Sequence, residues 1–180
     1  MLVRIFLLNT INSIIAKRDG YIGLVMEAMV NDSPYTSERF FRIHANKDEA
    51  ELYILAIAFE KLLKPCDVEI YTDGDMVIPR LESGVLQEQK NRDWKNTRGT
   101  EIKDAELWSR LLEAYEKNVI SITVKNNINH PYAKWMTEQI RNGKTEEVTY
   151  EHYKCNDAGQ GAEASSEQSE EGSRRLAGAY

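Results

Sequence analysis

Residues 48–64, DEAELYILAIAFEKLLK, stop at Pro65 and lead into DVEIYTDGD at 67–75. A helix that ends at a proline and feeds a short strand restricts the chain to folds that interleave helix and sheet. Leu52, Leu55, Phe59 and Leu62 recur at three- and four-residue spacing, so one side of the helix is core. Asp48 is a suitable cap, with acids in the first turn where the helix dipole favours them. Glu51 shares the apolar side with Leu55, Ala58 and Leu62, an expensive place for an unpaired carboxylate. Asp73 stands where the strand at 68–72 stops. Two acids brought to one end of a helix–sheet sandwich are half of a two-metal site. The alternatives are structural. Asp73 would cap the next helix, and a lysine or backbone amides would neutralise Glu51.

The remaining segments fit around this unit. Residues 2–8 form a nearly unbroken apolar run, as in a buried strand. Asp19-Gly20 and Asn31-Asp32-Ser33-Pro34 are turn signals, with strands expected at 21–30 and 35–44. These three strands form an antiparallel meander. A short helix is expected at 75–86, a polar stretch at 87–100, an amphipathic helix at 102–117 and a fifth strand at 119–124. After a loop at 126–129, His130 caps a last helix with Pro131 at its first position, ending near Asn142-Gly143. The strand at 68–72 follows a helix and lies beside the first strand through a right-handed crossover. The expected fold is α/β: a five-stranded mixed sheet with helices on both faces, in the order strand, strand, strand, helix, strand, helices, strand, helix.

At 180 residues the chain suits one domain, at 1–143, with an appendage at 144–180. Within 151–180 there are six acids against three basic residues, among Ala, Ser, Gly and Gln, which reads as an acidic disordered tail. A net charge of −6 and a pI near 5.2 argue against a non-specific polyanion binder. They leave room for a local basic strip, and Lys90, Arg92, Lys95 and Arg98 around Trp94 supply one. Its plain alternative is a solvated segment with Trp94 as a packing anchor. Trp108, Trp135, His44 and His130 read as structural. Cys66 and Cys155 are too few for a disulfide framework or a zinc site and read as free thiols in a reducing compartment. The apolar start lacks a basic leader and reads as a strand rather than a signal peptide. No apolar run reaches membrane-spanning length, so no membrane partner is expected and cytoplasm is the expected location.

The order and three segments together resemble the RNase H family over residues 3–143. EAEL at 49–52 resembles the start of the family's first helix, with Glu51 at its second metal-binding acid. YTDGD at 71–75 resembles its strand-ending third acid, at Asp73. RDWKNTRGTEIKDAELWSRL at 92–111 resembles the bacterial basic protrusion and the Leu-Trp of the next helix, here Leu107 and Trp108. VKNNINHP at 124–131 resembles the last strand and the loop into the final helix. The resemblance implies hydrolysis of the RNA strand of a hybrid by two Mg²⁺ ions, which needs carboxylates that bridge and flank the metals. The family's first acid falls on Leu8, or on Asn9 if the strand carries a bulge. Its fourth falls on Thr137, with Glu138 adjacent, and its loop histidine falls on Asn127.

Those departures set the functional expectations. With Glu51 and Asp73 retained, at most one Mg²⁺ is held loosely. Glu138 replaces the fourth acid only if the helix register shifts, and one residue turns a side chain by about 100°. The leading expectation is an RNase H-like protein that binds an RNA–DNA hybrid or duplex with lost or impaired nuclease activity. One alternative is an active Mg-dependent hybrid ribonuclease. The other is an interaction module with a protein partner, such as an inhibitor of a nucleoprotein machine of the anti-CRISPR type.

Overall fold

The computed structural model describes residues 1–30, 33–126 and 129–147. The elements run β1 (Leu2–Asn9), β2 (Arg18–Val30), β3 (Ser33–Ala45), α1 (Lys47–Glu60), β4 (Cys66–Thr72), α2 (Val77–Glu82), α3 (Val85–Lys90), α4 (Ala105–Asn118), β5 (Val119–Asn126), α5 (Ala133–Arg141) and β6 (Glu146–Glu147). They build one mixed sheet in the order β5-β4-β1-β2-β3-β6. β1, β2 and β3 form the expected antiparallel meander, and β4 lies parallel to β1, with Val3 opposite Val68.

Alternation along the strands divides the core in two. Val3, Ile5 and Leu7 of β1 and Val68 and Ile70 of β4 join the large cluster on the side of α1 and α4. Phe6 points the other way, where it joins Val25, Phe40 and Met136 beneath α5. Gly23 gives Met136 its place there: a Cβ at Gly23 would come within 2.8 Å of the methionine methyl and 3.0 Å of the Phe40 ring. Further along this face Arg4 bridges two carboxylates, Glu27 at 3.0 Å and Glu69 at 3.2 Å. The Tyr132 hydroxyl donates to Glu27 and the Tyr71 hydroxyl to Glu69.

α1 departs from its expected amphipathic character. All residues from Glu49 to Phe59 are buried, because α1 packs on β1, β2 and β3 and is also covered by α4. Its cap is Asn46 rather than Asp48. The Asn46 side chain accepts from the Glu49 N–H at 2.9 Å, and the Glu49 carboxylate accepts from the Asn46 N–H at 3.0 Å, a reciprocal pair that satisfies two free donors. Arg110 of α4 clamps Glu60 at the end of α1 with two bonds of 2.7 and 2.8 Å. Trp108 is core, as expected, with the Arg80 guanidinium 4.5 Å above its ring.

Several boundaries shift for identifiable reasons. The single helix expected at 75–86 is two, α2 and α3, interrupted by Gly84 at φ +78°. His130 does not cap the last helix: a turn through Pro131 and Tyr132 intervenes, α5 starts at Ala133, and the His130 ring is buried. Among the described residues there are six strands rather than five. Glu146 and Glu147, in the stretch read as tail, pair in parallel with Phe41 and Arg42 of β3. Arg39 chelates Glu146, and Arg42 meets Glu147 at 3.1 Å. The acidic segment from residue 148 onward, Cys155 within it, and Asn31, Asp32 and Asn127 lie outside the described residues. Cys66 is buried and free. Among the described residues no helix is long and apolar enough to cross a membrane.

Candidate functional site

Thr72 ends β4 on the face already set by Val68 and Ile70, so its side chain meets α1. Its hydroxyl donates to Glu51 Oε1 at 3.1 Å and accepts from the Gly74 N–H at 2.9 Å. Glu51 is 3% exposed, and its Oε2 has no hydrogen-bond partner. Burial pushes this carboxyl up to about 7; the Thr72 bond opposes the rise, and the charges of Asp48 and Asp73 add to it. In place of the lysine or backbone amides of the structural alternative, the hydrogen-bond partner of Glu51 is the Thr72 hydroxyl. Gly74 is required beside it, because a Cβ there would overlap the Glu51 carboxylate.

Asp73 follows directly and is part-exposed. Lys47, in the first turn of α1, reaches its Oδ2 at 3.4 Å and donates to its backbone carbonyl at 3.2 Å. Asp73 does not cap α2, whose N-cap Met76 receives no side-chain bond. Glu51 and Asp73 do come together. They line a void of about 10 Å³ with Leu7, Asn9, Lys47 and Thr72, room for about one water molecule. Asn9 stitches this corner: its Nδ2 donates to the Lys47 carbonyl at 3.2 Å and its Oδ1 accepts from the Ile11 N–H at 2.9 Å.

On the outer side of Asp73 a groove of about 400 Å³ opens between the end of β1 and α5. Leu7, Leu8, Asn9, Asn12, Asp73, Asn129, Ala133, Lys134 and Thr137 line it. Leu8 contributes hydrocarbon and packs against the Phe6–Met136 cluster. The Thr137 hydroxyl donates to the Ala133 carbonyl of its own helix at 2.9 Å. Glu138, offered above as a substitute acid, is exposed and is not among the residues lining the groove. The register of α5 places Thr137 and Lys134 toward the cavity instead. His130 is structural: it is 3% exposed, its Nε2 bonds the Leu7 carbonyl at 3.0 Å, and burial holds its pKa below the ordinary histidine value.

The donor set does not fit a two-ion centre. Among the described residues no group of three or more His, Cys, Asp or Glu side chains is placed to hold a metal. Leu8, on which the resemblance places the family's first acid, offers the groove only hydrocarbon. The unpartnered Glu51 oxygen next to Asp73 suits at most one ion, and there the Lys47 ammonium already faces the Asp73 carboxylate.

The basic strip forms a separate, ordered projection. Trp94 takes the packing role, half-buried against the main core in a left-handed conformation at φ 57°. Beyond it the backbones of Lys95 and Glu101 pair antiparallel, and the Asn96 side chain accepts from the N–H groups of Arg98 and Thr100. Lys90 is tied to Glu116 at 3.1 Å. Arg92, Lys95 and Arg98 are exposed and have no ion-pair partner among the described residues. Trp135 is half-buried against the α5-side cluster, and exposed His44 pairs with Asp19 at 2.8 Å. Sequence reasoning missed Lys47, Thr72 and Lys134. The signal for Lys134 was present, since it lies three residues before Thr137 on the same helical face.

Comparison with known proteins bears on the family and the fold. Residues 12–146 match the family model for RNase H. The ribonuclease H of Clostridium botulinum (strain Hall) is 29% identical over 114 residues, which cover 63% of this chain and 74% of that protein. Among solved structures, LC9-RNase H1, a type 1 RNase H with the type 2 active-site motif, superposes with a TM-score of 0.56 at 16% identity, over 87% of this chain and 82% of its own. The foamy viral protease-reverse transcriptase in complex with an RNA/DNA hybrid gives 0.54 at 15%, over 75% of this chain and 18% of that one. At such identities the structures speak for the fold alone. The family match spans well over half of the sequence, and the chain belongs to the RNase H family.

Proposed function

We propose that this chain binds nucleic acid, an RNA–DNA hybrid or duplex, and that its nuclease activity is lost or impaired. The observation that carries the reading is Leu8 in the groove, where the family's bridging carboxylate would stand. Thr137, with its hydroxyl turned back onto the α5 backbone, supports it. Exposed Arg92, Lys95 and Arg98 provide phosphate contacts outside the groove, and the related fold in the foamy viral enzyme is seen with an RNA/DNA hybrid. Any Mg²⁺ would be held weakly by Glu51 and Asp73 in competition with Lys47.

A cleavage assay on a labelled RNA–DNA hybrid in Mg²⁺ or Mn²⁺ tests the loss of chemistry. Background turnover is expected, and robust cleavage abolished by Asp73→Asn would establish an active ribonuclease instead. Binding is tested at low salt, where Lys95→Glu with Arg98→Glu should weaken affinity for the hybrid. No measurable affinity would favour a protein-interaction module.

A further inference from the structure

We propose that the groove between the end of β1 and α5 seats a nucleic-acid phosphate directly, without a bridging metal ion, on the Lys134 ammonium. The inference rests on the nucleic-acid reading above and assigns a mode of contact within it.

The charge distribution carries the argument. Asp73 and Lys134 are the charged side chains lining the groove, and Lys47 stands behind Asp73 at 3.4 Å from its carboxylate. The Asp73 charge is thereby countered from inside the protein, and Lys134 is the cation that the α5 wall presents to the groove. A carboxylate-rich groove repels a phosphate unless cations intervene. This one does not need them, because leucine and threonine replace two of the acids. Lys134 is exposed and has no ion-pair partner among the described residues. Lysine binds phosphate as a mobile point charge and tolerates a range of geometries. The exposed carboxamide of Asn12 offers N–H donors from the β1 side. At about 400 Å³ the groove accommodates a phosphodiester and its sugar.

The test uses the full chain and a fluorescently labelled RNA–DNA hybrid, with anisotropy read in EDTA, in Mg²⁺ and across a salt series. Affinity should be the same in EDTA and in Mg²⁺. Lys134→Gln should weaken binding roughly tenfold near 0.1 M salt and flatten the slope of log K against log salt by about 1, as for one lost phosphate contact. Lys134→Arg should retain both. The side chain is exposed, so these variants keep the fold. Binding that requires Mg²⁺ would overturn the inference. So would an unchanged affinity and slope in Lys134→Gln while Lys95→Glu with Arg98→Glu still weakens binding; the nucleic-acid reading would then survive alone. If the wild type binds no hybrid at low salt, both fall.

Discussion

Thr72 gives its hydroxyl proton to one oxygen of Glu51 at 3.1 Å, and the other oxygen of the same carboxyl is buried without a partner. A single neutral donor cannot offset the desolvation of a carboxylate, and this is why the group titrates near neutrality.

Stability should therefore fall as pH rises from about 4.5 to about 7 and level off above that. The folded pKa of about 7 lies above the ordinary value of 4.5, so folding binds a proton between these pH values. The favourable contribution is complete below 4.5 and is lost as pH rises through 7. Glu51→Gln removes the titration, keeps the acceptor for Thr72, and should gain roughly 3 kcal/mol on the wild type by pH 8. Thermal melts at pH 5 and pH 8 check this: the difference between the two proteins should widen by about 6–10 °C.

Gly74 and Glu51 share one volume. Gly74→Ala should cost about 1–3 kcal/mol, since the new methyl overlaps the carboxylate. In a Glu51→Ala background the same change should cost far less. A double-mutant cycle by denaturant titration measures the coupling, and strict additivity would contradict the overlap.

His130 holds the loop before α5 against the end of β1. His130→Ala should cost roughly 3 kcal/mol, from the lost bond to the Leu7 carbonyl and the space left beside Phe6 and Tyr71. Its pKa is depressed by burial, so its contribution is present above the ordinary value of 6.5 and is lost as pH falls through the lower folded value. The mutational cost, read from urea midpoints, should accordingly shrink on acidification.

Placing carboxylates at Leu8 and Thr137 tests the proposed loss of chemistry. Leu8→Asp with Thr137→Asp should raise Mg²⁺-dependent hybrid cleavage at least about tenfold over background, and Asp73→Asn should remove it. Leu8→Asp alone should cost about 2 kcal/mol, because Leu8 is half-buried. Gel-based cleavage and melting of the same preparations separate the two effects.

Local periodicity accounts for most of what the sequence revealed. The nearly unbroken apolar run at 2–8 marks β1, and the spacing of Leu52, Leu55 and Phe59 marks α1. What sequence reading missed depends on distant partners. β6 has no apolar pattern and is held by Arg39 and Arg42 from a strand about a hundred residues earlier. The all-round burial of α1 depends on α4 covering it. The pairing of Glu51 with Asp73 was legible from a helix and a strand adjacent in sequence. The hydroxyl at Thr72 and the ammonium at Lys47 were not, because that corner forms only where α1, β1 and β4 converge.

The layer under α5 is thin: Phe6, Val25, Phe40 and Met136 are its buried members, against the many that fasten α1. The two walls of the groove are therefore unequal partners. The β1 wall is paired on both sides, by β2 and β4, and should open last. The α5 wall, with Lys134 and Thr137, rests on the smaller cluster and should open more readily, which amide exchange faster in α5 than in β1 would reveal. The lifetime of a ligand in the groove would then be set by how often that layer detaches.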